Sequence, residues 1–113
     1  MRIKSEIWVK AYLRRCAGEG IPCVVVRRGD ADAGVIFVKV SRLDGTATLF
    51  GPAFAGLAAD GADRQWTLVA VAAADADVEA RLARESRLDP DLWVVESEDR
   101  QGRHCLDGWL ARD

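Results

Sequence analysis

The run Arg27-Arg28-Gly29-Asp30-Ala31-Asp32-Ala33-Gly34 is the most unusual local feature of the chain. Asp30 and Asp32 place two carboxylates at i and i+2 between glycines, the kind of oxygen donors and pliable backbone that Mg²⁺ or Ca²⁺ takes. Two ligands do not make a site, and Ala31, Ala33 and Val35 stand where a helix-loop-helix calcium loop needs further donors. Asx turns, in which the carboxylates bond nearby backbone N–H groups across a tight loop, account for the same residues. The tripeptide Arg28-Gly29-Asp30 spells a cell-adhesion ligand, read here as coincidence because nothing in the sequence directs export.

Arg14, Arg15, Arg27, Arg28 and Arg42 lie at the end of an expected helix and the ends of expected strands. Converged, Arg14, Arg15, Arg28 and Arg42 would form a phosphate-binding or nucleic-acid-binding patch, since guanidinium forks grip phosphate oxygens in pairs. Arg27 and Arg28 point to opposite faces of a strand, so only one of the two joins such a patch. Solvated edges and ion pairs to an acidic C-terminal half explain the arginines equally well.

Cys16, Cys23, His104 and Cys105 add up to four soft-metal ligands, but six residues separate the first two and the last two are adjacent, which is not the spacing of a zinc site. Cys16 sits on the apolar stripe of a helix and Cys23 opens an apolar strand, where a free thiol is a small hydrophobe. A Cys105–His104 nucleophilic pair lacks an oxyanion-stabilising turn. No nucleophile elbow, phosphate-binding Gly-Lys-Ser/Thr loop or dinucleotide fingerprint is found. The sequence therefore supplies no catalytic residues, no metal ligands and no cofactor.

The elements that position these residues follow from periodicity. Ile7, Trp8, Ala11, Tyr12 and Cys16 recur at helical spacing, predicting a helix over about Ser5 to Ala17 closed by Gly18, Gly20 and Pro22. Cys23 to Arg28 and Val35 to Ser41 read as a β-hairpin around the Gly29–Gly34 loop, and the second strand, apolar on both faces, as a central one. Asp44-Gly45 predicts a type I′ turn into a strand over Thr46 to Phe50, completing a three-strand antiparallel meander. Gly51 to Asp63 is the longest irregular segment. Gln65 to Ala72 is a fourth strand. A second helix then starts at an Asp75 or Asp77 N-cap, is striped by Val78, Leu82 and Ala83, and ends before Pro90. Leu92 to Glu96 forms a short fifth strand, and Ser97 to Arg103 a charged turn. The expectation is an α+β fold, with both helices on one face of a mainly antiparallel sheet. It is taken as one domain over residues 1–113, with about 104–113 a loosely docked tail. Trp66 and Trp93 belong to the core, whereas Trp8 and Tyr12 suit either the core or a dimer interface.

At 113 residues, half of them hydrophobic and 30% charged, the chain suits a single folded core. The longest apolar stretch, Leu68 to Ala74, falls far short of the roughly 20 residues that span a bilayer. Three cysteines without framework spacing suit a reducing cytoplasm. Net charge is −2, divided as +4 over residues 1–50 and −6 over 51–113. That split favours attraction between the two halves over binding to nucleic acid, whose partners are usually basic overall.

The strings Arg-Ile-Lys-Ser-Glu-Ile-Trp-Val-Lys-Ala-Tyr-Leu-Arg-Arg-Cys, Val-Val-Val-Arg-Arg-Gly-Asp-Ala-Asp-Ala-Gly, Phe-Val-Lys-Val and Asp-Pro-Asp-Leu-Trp-Val-Val-Glu occur in this order. Together they resemble a family of short bacterial proteins classified only as a domain of unknown function. The resemblance implies a stand-alone bacterial protein and brings no activity with it. The residues favour a small cytoplasmic binding or scaffolding module that self-associates, or binds an unidentified protein, through its apolar helix or a strand edge. The alternatives are the arginine patch and, third, a metal-dependent or thiol enzyme.

Overall fold

The computed structural model describes residues 3–53 and 64–111. Helix α1 spans Ser5–Gly18, and its buried Trp8, Val9, Tyr12 and Cys16 follow the helical repeat. The Ser5 hydroxyl donates to the Gly34 carbonyl at 2.6 Å, fixing the start of the helix. At its end the Ile21 N–H reaches back to the Cys16 carbonyl at 2.9 Å, a closure that sets Gly20 at φ +74°, where a side chain would be strained. Strands β1 (Cys23–Arg27), β2 (Ile36–Ser41), β3 (Thr46–Pro52) and β4 (Trp66–Ala74) precede helix α2 (Asp75–Leu88), and β5 (Trp93–Glu98) follows it. The predicted irregular segment from Gly51 lies outside the described residues over 54–63.

The sheet order is β1-β5-β2-β3-β4, with β5 parallel to β2 and the other pairings antiparallel. The fold is α+β with a mixed, mostly antiparallel sheet, but the expected β1–β2 hairpin is not formed. β5, contributed from the far end of the chain, inserts between these strands. The glycine-rich run is the bridge over that inserted strand: the Asp30 N–H donates to the Asp91 carbonyl, and a Cβ on Gly29 or Gly34 would run into the same carbonyl.

The helices take opposite faces, correcting the expectation that they share one. Under α1 lie Ile36, Val38, Val40, Trp93 and Val95, whereas Phe37, Leu49 and Val94 pack with Val78 and Leu82 of α2. The cause is β2, buried on both faces from Ile36 to Val40. A strand apolar on both sides must be covered on both sides.

Three local expectations also change. The β2–β3 turn has its positive φ at Leu43 and Gly45, not at Asp44 and Gly45. The Asp44 carboxylate instead accepts from both the N–H and hydroxyl of Thr46, which holds its pKa low. Ala74, not an aspartate, is the N-cap of α2, and Asp75 turns toward Lys39 of β2. The supposed loose tail is docked: Cys105 and Leu106 are buried, the Tyr12 hydroxyl donates to the His104 carbonyl, and Trp66 exchanges backbone bonds with Trp109 and Ala111.

Candidate functional site

Of the predicted arginine patch, Arg28 and Arg15 are held at opposite ends of α1. Arg28 pairs with Glu6 in the first turn of α1 and lies over the Trp93 ring. Arg15, in the last turn, stacks 3.7 Å above Trp109 and donates to the carbonyls of Cys105 and Asp107. At about 1.5 Å of rise per residue, the nine residues from Glu6 to Arg15 hold these groups about 13 Å apart along the helix. Arg14 is exposed on that last turn, and Arg42 packs against Gly102. Arg15 and Arg28 therefore serve separate neighbourhoods.

The Asp30/Asp32 loop forms a turn. Asp30 accepts from the backbone N–H groups of Asp32 and Ala33 at 3.2 and 2.8 Å, and Asp32 lies 3.7 Å from Lys4. The Asp30 carboxylate thus bonds its own loop, while its carbonyl accepts from the Trp93 indole at 2.8 Å. Among the described residues no group of three or more His, Cys, Asp or Glu is placed to hold a metal ion.

Trp8 and Tyr12 are 1% and 0% exposed, so neither reaches a partner. Trp8 stacks on Tyr12 and Trp66 at centroid distances of 5.1 and 4.1 Å and meets the edge of Trp109 at 4.9 Å. This aromatic cluster joins α1, β4 and the C-terminal segment. Trp109 belongs to it through its place beside Arg15.

Two features that sequence reasoning missed meet at the start of β1. The first is the strand's position as a sheet edge. Val24, Val25 and Val26 are 60%, 38% and 56% exposed, although the sequence suggested a buried strand. The second is a thiol cluster. Cys16 of α1 and Cys105 of the C-terminal segment share one core cluster, and Cys23 of β1 packs against it. Hydrogen bonding from Cys23 brings Cys16 down to about 6, while that same bond and burial push Cys23 up. Burial and the neighbouring Cys16 push Cys105 up to about 12.

Cys16 and Cys105 are buried, whereas Cys23 is half-buried and lines a cavity of about 130 Å³ with Pro22, Val24, Glu96 and Glu98. Beside Cys23, across the β1–β5 pairing, stands Ser97, fully buried, its side chain close to that of Tyr12. Cys16 and Cys23 were visible as neighbours in sequence. Cys105 was not, because only docking of the C-terminal segment brings it in.

The two faces of the sheet differ in polarity. On the α2 side Lys39 is buried with its ammonium 2.7 Å from Asp75, 2.7 Å from Glu79 and 3.6 Å from Glu96. Burial pulls its pKa down, but the bonds to Asp75 and Glu79 outweigh that and leave it raised. No helix among the described residues is long and apolar enough to cross a membrane.

Comparison with known proteins gives one consistent picture. No curated protein matches the chain. A crystal structure of a DUF1491 family protein from Caulobacter crescentus is 39% identical, covers 100% of both chains and superposes with a TM-score of 0.81. An NMR structure of a DUF1491 family protein from the same organism is 42% identical over 99% of both chains, with a TM-score of 0.80. The solution structure of an A. tumefaciens protein is 39% identical over 87% of this chain and 86% of that one, with a TM-score of 0.78. The family model for DUF1491, described as a protein of unknown function, matches residues 3–107. The chain belongs to the DUF1491 family.

Proposed function

We propose that this protein is a small bacterial, cytoplasmic binding module that pairs with a second copy of itself through the free edge of β1. The observation that carries the reading is the contrast between the two sheet edges. At β4 the outer side of Trp66 is taken up by Trp109 and Ala111, and Ala72, at φ 45°, breaks the regular strand. Such irregularities are how sheets avoid pairing with other chains. β1 also bulges between Val25 and Arg27, but among the described residues no segment bonds its outer side as Trp109 and Ala111 bond that of Trp66, and Val24-Val25-Val26 are three consecutive exposed β-branched residues without a charge among them.

Charge placement selects a second copy in antiparallel register. Glu98 flanks the Cys23 end of β1, and Arg27 stands at its other end. Antiparallel pairing centred on Val25 brings the arginine end of each copy beside the glutamate end of the other. Parallel pairing would set arginine against arginine. Sedimentation equilibrium is expected to give a dimer, and the double variant Val24→Lys, Val26→Lys a monomer with an unchanged circular dichroism spectrum. A wild-type chain that stays monomeric at about 100 μM, a concentration that drives even modest interfaces together, overturns the reading.

A further inference from the structure

On the α2 side, the sheet extends past the helix that covers it. Val24 pairs with Glu96, and Glu96 reaches Lys39, whose ammonium bonds Asp75 and Glu79 of α2, so these groups share one face. The buried side chains of α2, Val78 and Leu82, pack with Phe37, Leu49, Leu92 and Val94 of the sheet side and stop short of β1. Val24 and Val26 are left exposed, and beside them Pro22, Cys23, Val24, Glu96 and Glu98 line the cavity of about 130 Å³. The carboxylates of Asp75, Glu79, Glu96 and Glu98 outnumber the two cations among them, Lys39 and Arg27, so this face carries excess negative charge.

Two β1 strands paired antiparallel are related by a twofold axis perpendicular to the sheet, so both copies present the same face on the same side. Pairing centred on Val25 sets Val24 of each copy opposite Val26 of the other. We propose that this paired face is a composite docking groove, floored by the four valines and walled by carboxylates of both copies, and that its occupant is a basic amphipathic helix of another protein, one helix per pair of chains. The groove rests on the β1 pairing inferred above. An extended peptide is disfavoured because pairing has used the free edge of β1, leaving it no main-chain partners, whereas a helix satisfies its own backbone. From β5 of one copy to β5 of the other are three strand spacings, about 14 Å, room for one helix about 10–12 Å across with its side chains. The valines take the apolar stripe of that helix, and its flanking Lys and Arg side chains meet Glu96 and Glu98 on either wall. A single copy supplies half the floor and one wall.

The test titrates the full chain into a fluorescently labelled peptide of about 18 residues, with leucine on one helical face and lysine on the other. Anisotropy reads binding, circular dichroism reads peptide helicity, and sedimentation equilibrium on the same samples reads the pairing of chains. The expected result is saturation at one helical peptide per two chains, with affinity that falls as salt rises. The same peptide with glutamate in place of lysine should not bind. Val24→Thr keeps side-chain shape and strand preference but makes the floor polar at two places per pair; it should remain paired and bind the lysine peptide about tenfold more weakly. A paired wild type that ignores the lysine peptide, takes one peptide per chain, or binds the glutamate peptide equally well overturns the groove and leaves the pairing standing. Undiminished binding by paired Val24→Thr also overturns it. A wild type that stays monomeric overturns the pairing and the groove together.

Discussion

Lys39 is the residue at which charge and burial compete most directly. Its side chain is only 4% exposed, yet three carboxylates surround it, leaving the cluster with an excess of negative charge. Glu96 bears the cost. Burial raises its pKa and the charges of Glu79 and Asp75 raise it further, against the pull of Lys39. The native state therefore binds the Glu96 proton more tightly than the unfolded chain does. Its stabilising effect is present below the ordinary glutamate range and is lost as pH rises through the raised native value. Lys39, also raised, keeps its contribution at every pH below the ordinary lysine range and loses it only in strong alkali. Glu96→Gln keeps the side-chain shape and removes the ionisation. Thermal melts of variant and wild type should nearly coincide at about pH 4, where the glutamate is largely neutral in both states, and the variant should melt progressively higher toward about pH 7. A wild type more stable at neutral pH would show that attraction to Lys39 outweighs burial.

At the scale of elements, the C-terminal segment is where local reasoning and tertiary packing diverge most. Residues 104–111 contain no regular helix or strand, and their sparse apolar pattern reads as a fraying end. The signal it lacks is long-range. Leu106 is wholly buried, and Trp109 closes the aromatic cluster begun by Trp8 and Trp66. Leu106→Ala should destabilise by about 2–5 kcal/mol, the range for large-to-small changes in packed cores, seen as a lower urea midpoint with an unchanged slope. A shift within about 0.5 kcal/mol would mark the segment as peripheral. The helices and strands themselves were legible because their stripes are local: Trp8, Tyr12 and Cys16 set α1, and the doubly apolar β2 had to be central. That same doubly apolar pattern already required cover on both faces, so the split of the helices followed from a feature in plain view. The β1–β2 pairing was not legible, since a glycine-rich connection between two apolar strands looks the same whether it turns a hairpin or passes over an inserted strand. The site suffered likewise. Composition flagged arginines and aspartates that serve local turns and pairs, while the thiol cluster depends on Cys105 arriving from the other end of the chain.

For the whole molecule the order β1-β5-β2-β3-β4 has a direct consequence for folding. The last strand in sequence stands second in space, and it alone joins β1 to the rest of the sheet. Cys23 pairs with Ser97 and Ile36 with Trp93, so both pairings close long loops before any contact offsets the lost chain entropy. Until β5 is placed, β1 has no partner strand, the α1-side face lacks Trp93 and Val95, and the α2-side face lacks Leu92 and Val94. Neither core can therefore be completed separately, and the chain should unfold in one cooperative transition. Truncation after Asp91 should abolish the cooperative thermal transition, leaving a broad, sloping melt and poorly dispersed amide resonances. Addition of a peptide spanning residues 92–113 should restore both the transition and the dispersion, because that peptide carries the missing strand together with Leu106 and Trp109. A sharp melt in the truncated chain alone would mean that β2, β3, β4 and α2 form a core of their own, with α1, β1 and β5 added as a separable layer.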